Sequence, residues 1–310
     1  MKRKTTRYPE GRSHLSLRRS PGGSLPHGLL KFSSILAVQL IMPAFTVSCN
    51  MLEELFGELE TEKSAVSFYR SCDFRIDSVD LFIYRDEAVK TLELHKRIPY
   101  LDSAGRIYAD TLLLSKGSKV AVAAANLYRY PDIDRLNSYE SVELLSMNYE
   151  NDNPERPVMS GISVFTAGER CEVELRPLLC TIVLSEVSNN LTGYTCLENP
   201  RCYLENVSDS AEIFRETGFR PSGLLDRTEK VSLPCDVGLL TQYPDSHLHC
   251  YPNDSQEGTV GTPRTCFTFE CEIKGETCTF STELPSLTRA STHTVELTVN
   301  SKKDFRYKVY

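Results

Sequence analysis

Residues 264–284 read RTCFTFECEIKGETCTFSTEL and carry the clearest secondary-structure signal in the chain. Residues 264–273 and 276–284 are rich in aromatic and apolar side chains at alternate positions, which is typical of strands with one buried face. Lys274 and Gly275 between them supply the two-residue turn of a hairpin. The stretch therefore predicts an antiparallel β-hairpin against a hydrophobic core.

Similar short segments, separated by turn residues, recur on both sides of this hairpin. The clearest are 78–85, 119–127, 178–187 and 292–299. Short strands at such spacing predict a β-sandwich. Two segments, 132–147 and 208–216, read as helices, and Ser138 and Ser141 are candidate caps of the first. The predicted fold is all-β with short helical inserts.

The stretch LLKFSSILAVQLIMPAFTVSC, residues 29–49, predicts export. It follows basic residues, ends in small ones and is broken by polar residues and Pro43, which is the layout of a secretory signal rather than of a membrane-spanning helix. Val47 and Ser48 before Cys49 resemble the lipobox of bacterial lipoproteins, although Thr46 stands where that motif usually has Leu. The resemblance implies cleavage before Cys49 and lipid on its thiol. The alternative is an ordinary signal peptide with Cys49 unmodified.

Composition divides the chain into four segments. Residues 1–48 are a signal peptide with a basic N-terminal extension, and 49–76 hold the lipidated Cys49 and an acidic tether. Five glutamates between positions 53 and 62 predict a solvated segment. They also resemble the acidic signal that sends Bacteroidota lipoproteins to the outer surface. Residues 77–188 and 189–310 are two sandwiches, divided at the polar SNNLTG that begins at Ser188.

Charge and motifs exclude several function classes. Residues 1–48 hold eight basic and one acidic residue, and the remainder holds 27 basic and 41 acidic residues. An acidic exterior argues against a nucleic-acid partner. The sequence lacks GxSxG, HExxH and a phosphate-binding glycine loop, so no catalytic site is predicted. HLHC at 247–250 is metal-like, but on a strand Cys250 points away from His247 and His249. Neither a metal nor a cofactor is predicted.

Ten of the eleven cysteines remain when Cys49 is set aside, and an even number permits disulfides in an exported chain. Cys271 and Cys278 lie opposite each other in the predicted hairpin. This register makes them a hydrogen-bonded pair with Cα atoms about 5.5 Å apart. They are either a disulfide or two thiols filling the core. Cys196 and Cys202 flank a five-residue loop, and the same two alternatives apply to them.

An ordered set of landmarks resembles the fimbrial anchor and accessory lipoproteins of the Bacteroidales, which are related to the fimbrillins. The landmarks are VDLFIYR at 79–85, KVAVAAAN at 119–126, PVMSG at 157–161, VELRPLLCTIVL at 173–184, CYPN at 250–253 and the final strands from 264 to 299. Lys119 and several alanines replace aromatic residues that the family usually has in the second landmark.

The resemblance implies two tandem transthyretin-like β-sandwich domains and no enzymatic activity. It implies a subunit of cell-adhesion fimbriae, held in the outer membrane by lipid, that anchors or assembles a stalk by strand exchange with shaft or accessory subunits. Residues 305–310, FRYKVY, are either a last strand of the domain or a segment offered to a partner. The alternative function is a surface lipoprotein that binds glycan or another nutrient for uptake. Such a protein needs an exposed aromatic platform.

Overall fold

The computed structural model describes residues 60–71, 74–99, 106–108, 111–129, 135–255 and 263–310. Cys49, Cys72 and the export stretch lie outside the described residues. Within these ranges strands dominate, and the predicted all-β class is confirmed. None of the helices in the described part of the chain is long and apolar enough to cross a membrane.

The first part of the chain forms an eight-stranded sheet and one strand outside it. The strands are β1 (Thr61–Arg70), β2 (Val79–Arg85), β3 (Leu92–Ile98), β4 (Arg106–Tyr108), β5 (Leu112–Ser115), β6 (Ser118–Ala125), β7 (Ser146–Asn148), β8 (Met159–Thr166) and β9 (Arg170–Pro177). The sheet order is β3-β2-β6-β8-β9-β1-β4, with β5 also beside β1. Alternate side chains of β1, β2, β6 and β9 meet in one apolar cluster, so the two ends of the sheet enclose a core.

Strand β1 begins inside the range that the sequence assigned to the tether. Val66 and Phe68 are at most 1% exposed, and β1 pairs in parallel with β9 over six residues. Polar residues alternate with these apolar ones along β1, as expected for a half-buried strand. The glutamates around it masked this alternation. The tether expected over 49–76 therefore does not extend beyond Glu60, and the folded part starts before residue 77.

The second part of the chain forms two sheets that face each other across a separate core. The strands are β10 (Cys180–Asn189), β11 (Glu198–Ser208), β12 (Ser210–Glu212), β13 (Leu224–Arg227), β14 (Val231–Ser232), β15 (Ser246–Cys250), β16 (Cys266–Ile273), β17 (Glu276–Glu283), β18 (Thr292–Val299) and β19 (Phe305–Val309). One sheet has the order β15-β10-β18-β19, and the other has β13-β11-β16-β17 with β14 also beside β11.

Strand β10 belongs by its pairing to the second part of the chain, although the sequence assigned it to residues 77–188. Its partners are β15 and β18. The change of sheet therefore occurs at Leu178 and Leu179, both buried, and not at Ser188. No polar break marks this point, because the connection itself packs into the interior. A polar stretch such as the one after Ser188 indicates exposure, and in this chain it follows the end of a strand.

The hairpin predicted at 264–284 is confirmed, with β16 and β17 in the expected register. Lys274 and Gly275 have φ angles of 54° and 74°. Positive φ at both central residues is the requirement of the two-residue turn that matches the twist of the strands. Glycine meets this requirement without a Cβ clash. The local turn chemistry explains why this element was predictable.

The two predicted helices are largely wrong. Among the described residues 135–147 of the first segment, the α-helix covers only Tyr139–Glu143, capped by Ser138, whose Oγ accepts from the Ser141 N–H at 3.3 Å. It is followed by β7, which pairs with β12 inside the second predicted helix, 208–216. Met147 and Ala211 of these strands are buried. Short apolar segments of this kind become strands because they pair with each other, and neither sequence contains that information alone. A 3₁₀ turn follows β7 at Tyr149–Asn151.

A third apolar cluster lies where the strands of the two parts meet. It joins Phe82 and Tyr84 of β2 to Phe214 and Tyr251 of the second part. The two parts of the described chain are therefore continuous through buried side chains, and Leu59–Tyr310 forms one compact unit.

Candidate interaction edges

Strand β19 is the last strand of the chain and pairs within it. It lies antiparallel to β18, with Val299 opposite Phe305 and Val295 opposite Val309. The backbones of Thr294 and Tyr310 exchange two hydrogen bonds, of 3.2 and 3.0 Å. Of the two alternatives for FRYKVY, the structure has the strand that pairs inside the domain.

Aromatic side chains attach β19 to the opposite sheet. Phe305 packs on Phe280 of β17 with ring centroids 5.1 Å apart, and Tyr307 packs on Phe267 of β16 at 5.8 Å. The Tyr307 hydroxyl donates to the Phe280 carbonyl oxygen at 2.8 Å. Burial raises the pKa of Tyr307 well above its usual range. We call these four residues the aromatic seam, and the seam closes one side of the sandwich between β17 and β19.

The outer edges of β17 and β19 have no strand partner within the described residues. A free strand edge presents unpaired N–H and C=O groups, which can receive an added strand. Arg306 and Lys308 point outward from β19, and Lys308 Nζ lies 3.4 Å from Glu296 Oε2. Charged side chains on an edge discourage indiscriminate pairing. The aromatic seam therefore closes the core on this side, while the outer strand edges stay available to a partner and the charged side chains limit which strands can pair there.

The other side of the same sandwich holds a groove of about 590 Å³ between β15 and the β13–β14 edge. The Tyr149 hydroxyl crosses its end and donates to the His249 carbonyl oxygen of β15 at 2.8 Å. Beside it, Asp152 accepts from the Val158 N–H at 2.9 Å and from the Tyr251 hydroxyl at 3.1 Å. Burial raises the pKa of Asp152 to about 6. The lining of the groove therefore includes a buried carboxyl group with a raised pKa.

The HLHC segment forms most of β15, and its side chains alternate as a strand requires. His247 is exposed and its Nε2 lies 3.3 Å from Asp245 Oδ1, whereas Cys250 is fully buried in the core. His249 is half-buried, and burial lowers its pKa. Among the residues that the structure describes, no three His, Cys, Asp or Glu side chains converge as metal ligands.

The candidate disulfide residues have different outcomes. Cys271 lies opposite Cys278 as predicted, and the two are 1% and 8% exposed on the core face. Cys202 is on β11, and the expected loop around Asn199 is a bulge in that strand. The pairing with β16 separates positions 198 and 202 by three residues of straight strand, which is about 10 Å. Cys196 lies before the start of β11. None of the nine described cysteines is disulfide-bonded in this structure, and the Cys271–Cys278 and Cys196–Cys202 disulfides both stay predictions.

Two exposed tyrosines lie in loops near the end of β10, and we call them the tyrosine platform. The side chains of Tyr194 and Tyr243 are 87% and 73% exposed. Asn189 connects their loops, because its Nδ2 donates to the Thr195 carbonyl oxygen at 2.8 Å and to the Val237 carbonyl oxygen at 3.0 Å. Neither tyrosine belongs to a sequence motif. Tyrosine in a polar loop was the available signal.

Comparisons with known proteins show what the fold resembles. No protein-family model and no curated protein sequence matches the chain. Several solved structures match over most of their length. A cell adhesion protein from Parabacteroides distasonis has a TM-score of 0.62 at 10% identity, over 81% of this chain and 97% of its own. The fimbrilin FimA of Porphyromonas gingivalis has a TM-score of 0.56 at 12% identity, over 78% and 91%. The tip fimbrial protein Mfa3 of the same species has 0.55 at 13%, over 81% and 99%.

These similarities cover nearly the whole of each known structure at low sequence identity. They show that the chain has a fimbrillin-like, all-β fold, as the ordered landmarks predicted. The parts that carried the prediction, such as VDLFIYR and the final hairpin, are β2 and the β16–β17 pair. The fold places the chain beside fimbrial and cell adhesion proteins of the Bacteroidales.

Proposed function

We propose that this chain is a non-enzymatic subunit of a cell-surface fimbrium. In this proposal lipid on Cys49 holds the chain in the outer membrane, and strand exchange joins it to shaft or accessory subunits. The supporting observation is the fold, which is similar to fimbrial and adhesion proteins over 91–99% of their own length. The arrangement as two tandem transthyretin-like sandwiches is part of the same proposal.

Strand β19 is the segment that best fits an exchanged strand. It is last in the chain, lies at an edge of its sheet and pairs with β18 alone within the described residues. Its inward residues Phe305, Tyr307 and Val309 alternate with outward polar ones, which is the pattern that an acceptor groove reads. Less free energy is needed to detach a strand that is half-buried and paired on one side than to detach a central strand. The same segment in a partner would fill an equivalent position.

A reversible lock on β19 tests the exchange. Thr298 and Arg306 are opposite each other on β18 and β19, so the double variant Thr298→Cys/Arg306→Cys can form a disulfide between the strands. The oxidised variant should fail to join partner subunits in a fimbrial assembly assay, and a reductant should restore joining. The matched control, Glu272→Cys/Thr277→Cys, places the same lock within the β16–β17 hairpin. Assembly of the locked β19 variant at the rate of the control would contradict the exchange of β19.

The tyrosine platform favours a second function, the binding of a glycan. Exposed aromatic rings stack on the apolar faces of sugar rings, and both Tyr194 and Tyr243 are exposed. Each of Tyr194→Ala and Tyr243→Ala should reduce retention on a glycan array at least tenfold if this function is correct. Tyr128→Ala is the control, because Tyr128 is 62% exposed and belongs to the first part of the chain. Equal retention by all three variants would reject the platform.

A further inference from the structure

Cys180 and Cys250 form a second cross-strand cysteine pair, which has no local signal in the sequence. They are directly opposite in the antiparallel pairing of β10 with β15. Residues 180 and 250 are 70 positions apart, so no hairpin brings them together. Both side chains point into the core between the two sheets and are fully buried. The pair therefore exists only in the folded protein.

The backbone geometry around this pair suits a disulfide. The Thr181 N–H donates to the Ser291 carbonyl oxygen at 2.9 Å, on the side of β18. Thr181 and His249 therefore do not exchange hydrogen bonds, and the next pair along, Cys180 and Cys250, is the hydrogen-bonded one. Cα atoms in such a pair are about 5.5 Å apart, inside the 4.4–6.8 Å span of disulfides.

The two thiols are shielded once the protein has folded. Cys180 Sγ donates to the Thr288 carbonyl oxygen at 3.0 Å. A hydrogen bond with the Cys180 thiol, together with burial, raises the pKa of the Cys250 thiol well above its usual range. Thiol–disulfide exchange requires a thiolate and access to it. A bond between these sulfurs must therefore form before the core closes and, once formed, is protected from reductants in solution.

We propose that Cys180 and Cys250 are joined by a disulfide bond that is formed during folding. The oxidant is a disulfide, either glutathione disulfide or a thiol–disulfide oxidoreductase. One cysteine thiolate attacks it to give a mixed disulfide, and the second thiolate displaces the remaining thiol. The two cysteines lose two protons and two electrons, and the oxidant is reduced to two thiols. The new S–S bond links β15 to β10 within the core between the two sheets of the second part.

This bond constrains the unfolded chain far more than the hairpin pair would. A bond between positions 180 and 250 closes a loop of about 70 residues, whereas Cys271 and Cys278 enclose only the hairpin turn. The entropy removed from the unfolded state grows with loop length. Oxidation at Cys180 and Cys250 should therefore raise the melting temperature by about 5 °C or more.

Peptide mapping of the full chain tests the proposal directly. The reduced, denatured protein is refolded with a mixture of glutathione and glutathione disulfide and then denatured in a maleimide reagent. Protease digestion and mass spectrometry without reduction should yield a linked peptide pair that contains Cys180 and Cys250. Recovery of both cysteines as maleimide adducts from refolded protein would overturn the proposal. This test does not depend on lipid anchoring or on fimbrial assembly.

Paired variants separate this bond from the hairpin pair. The melting temperature of refolded wild type should fall in dithiothreitol after brief unfolding, and that of Cys180→Ala/Cys250→Ala should not. In the matched control, Cys271→Ala/Cys278→Ala, the melting temperature should still fall in dithiothreitol. If the first variant does not fold, the control variant is still informative, because any dithiothreitol response that it shows cannot come from Cys271 and Cys278. A control that loses the dithiothreitol response would assign the effect to the hairpin pair and reject the proposal.

Discussion

Arg289 is the most heavily bonded side chain at the junction of the two parts, and its guanidinium is 1% exposed. Its NH2 group donates to the Ser160 Oγ and the Arg176 carbonyl oxygen, both at 2.7 Å, and its NH1 group donates to the Ile213 carbonyl oxygen at 3.1 Å. Glu216 Oε1 lies 3.1 Å away as a counter-charge. Burial lowers the pKa of Arg289 to about 10. One side chain thus donates to oxygen atoms from three segments that are distant in sequence: a hydroxyl oxygen and two carbonyl oxygens.

Replacement of this arginine should be costly. Arg289→Met should lower the free energy of unfolding by about 3–5 kcal/mol, because it leaves buried carbonyl oxygens without donors. Urea unfolding followed by circular dichroism measures the change. Arg176→Met is the matched control, since Arg176 is 41% exposed and pairs with the same Glu216. The control should cost at most about 1 kcal/mol. Equal losses in the two variants would contradict the role of Arg289.

Asp152 should make stability depend on pH. Burial raises its folded pKa to about 6, whereas an unfolded aspartate titrates near 3.9. Between these values the folded state holds a proton that the unfolded state has lost, so the free energy of unfolding falls as pH rises from about 4 to about 6. The fall should approach about 3 kcal/mol, at about 1.4 kcal/mol for each unit of difference in pKa. Asp152→Asn should remove this slope, whereas Asp226→Asn, on the exposed β13, should retain it. A slope that persists in Asp152→Asn would refute the assignment.

Lys119 is a buried lysine whose ion pair could not be predicted from its own identity. It occupies a position where the resembled family usually has an aromatic residue, yet the side chain is 1% exposed. Its Nζ lies 2.9 Å from Glu93 Oε2 and 2.8 Å from Ser115 Oγ. A buried cation is tolerated when it is paired and hydrogen-bonded. The ion pair thus takes the place of apolar packing, and the sequence did not reveal it because Glu93 is on a different strand.

At the scale of elements, the aromatic seam determines how firmly β19 is held. Tyr307→Phe removes the hydrogen bond to the Phe280 carbonyl oxygen but keeps the ring contacts with Phe267 and Phe305. The variant should lose about 1 kcal/mol of stability. Amide hydrogen exchange should accelerate in β19 more than in β10. Tyr310→Phe is the control, since that side chain is 64% exposed. Uniform acceleration across both strands would mean that the seam does not act on β19 in particular.

The elements that the sequence predicted well are those set by local chemistry. The β16–β17 hairpin follows from its turn and alternation, and β18 follows from strict alternation. The misassigned elements depend on distant partners. Strands β7 and β12 exist because they pair, and β1 exists because β9 lies beside it, with Ala65 opposite Arg170, 105 positions later. The tyrosine platform and the Cys180–Cys250 pair depend on the same long-range pairing, which explains why neither was predicted.

At the scale of the whole molecule, the proposed anchor is open to a direct test. In cells fed a clickable fatty acid, wild type should carry the label, whereas Cys49→Ala should lose it and leave the membrane fraction. Covalent acyl chains contribute about 0.8 kcal/mol per buried CH₂ group, so their loss should release the protein. Cys235→Ala is the control, because Cys235 is an exposed thiol in the folded part. Label on Cys49→Ala would place the lipid elsewhere, and label on neither protein would remove the lipid from the proposed function.

The parallel pairings also govern the order in which the chain can fold. Strand β10 pairs with β18, whose Thr292 lies opposite Thr181, and β1 must wait for β9 in the same way. Neither sheet can therefore be completed until more than a hundred residues after β1 or β10 have been synthesised. Contacts between residues so far apart in sequence slow folding, because the entropy cost of closing the loop comes before the free energy gained from strand pairing. The edge of β10 that receives β18 therefore stays unpaired throughout that interval, and an exposed apolar edge of this kind makes an incompletely folded chain prone to aggregation.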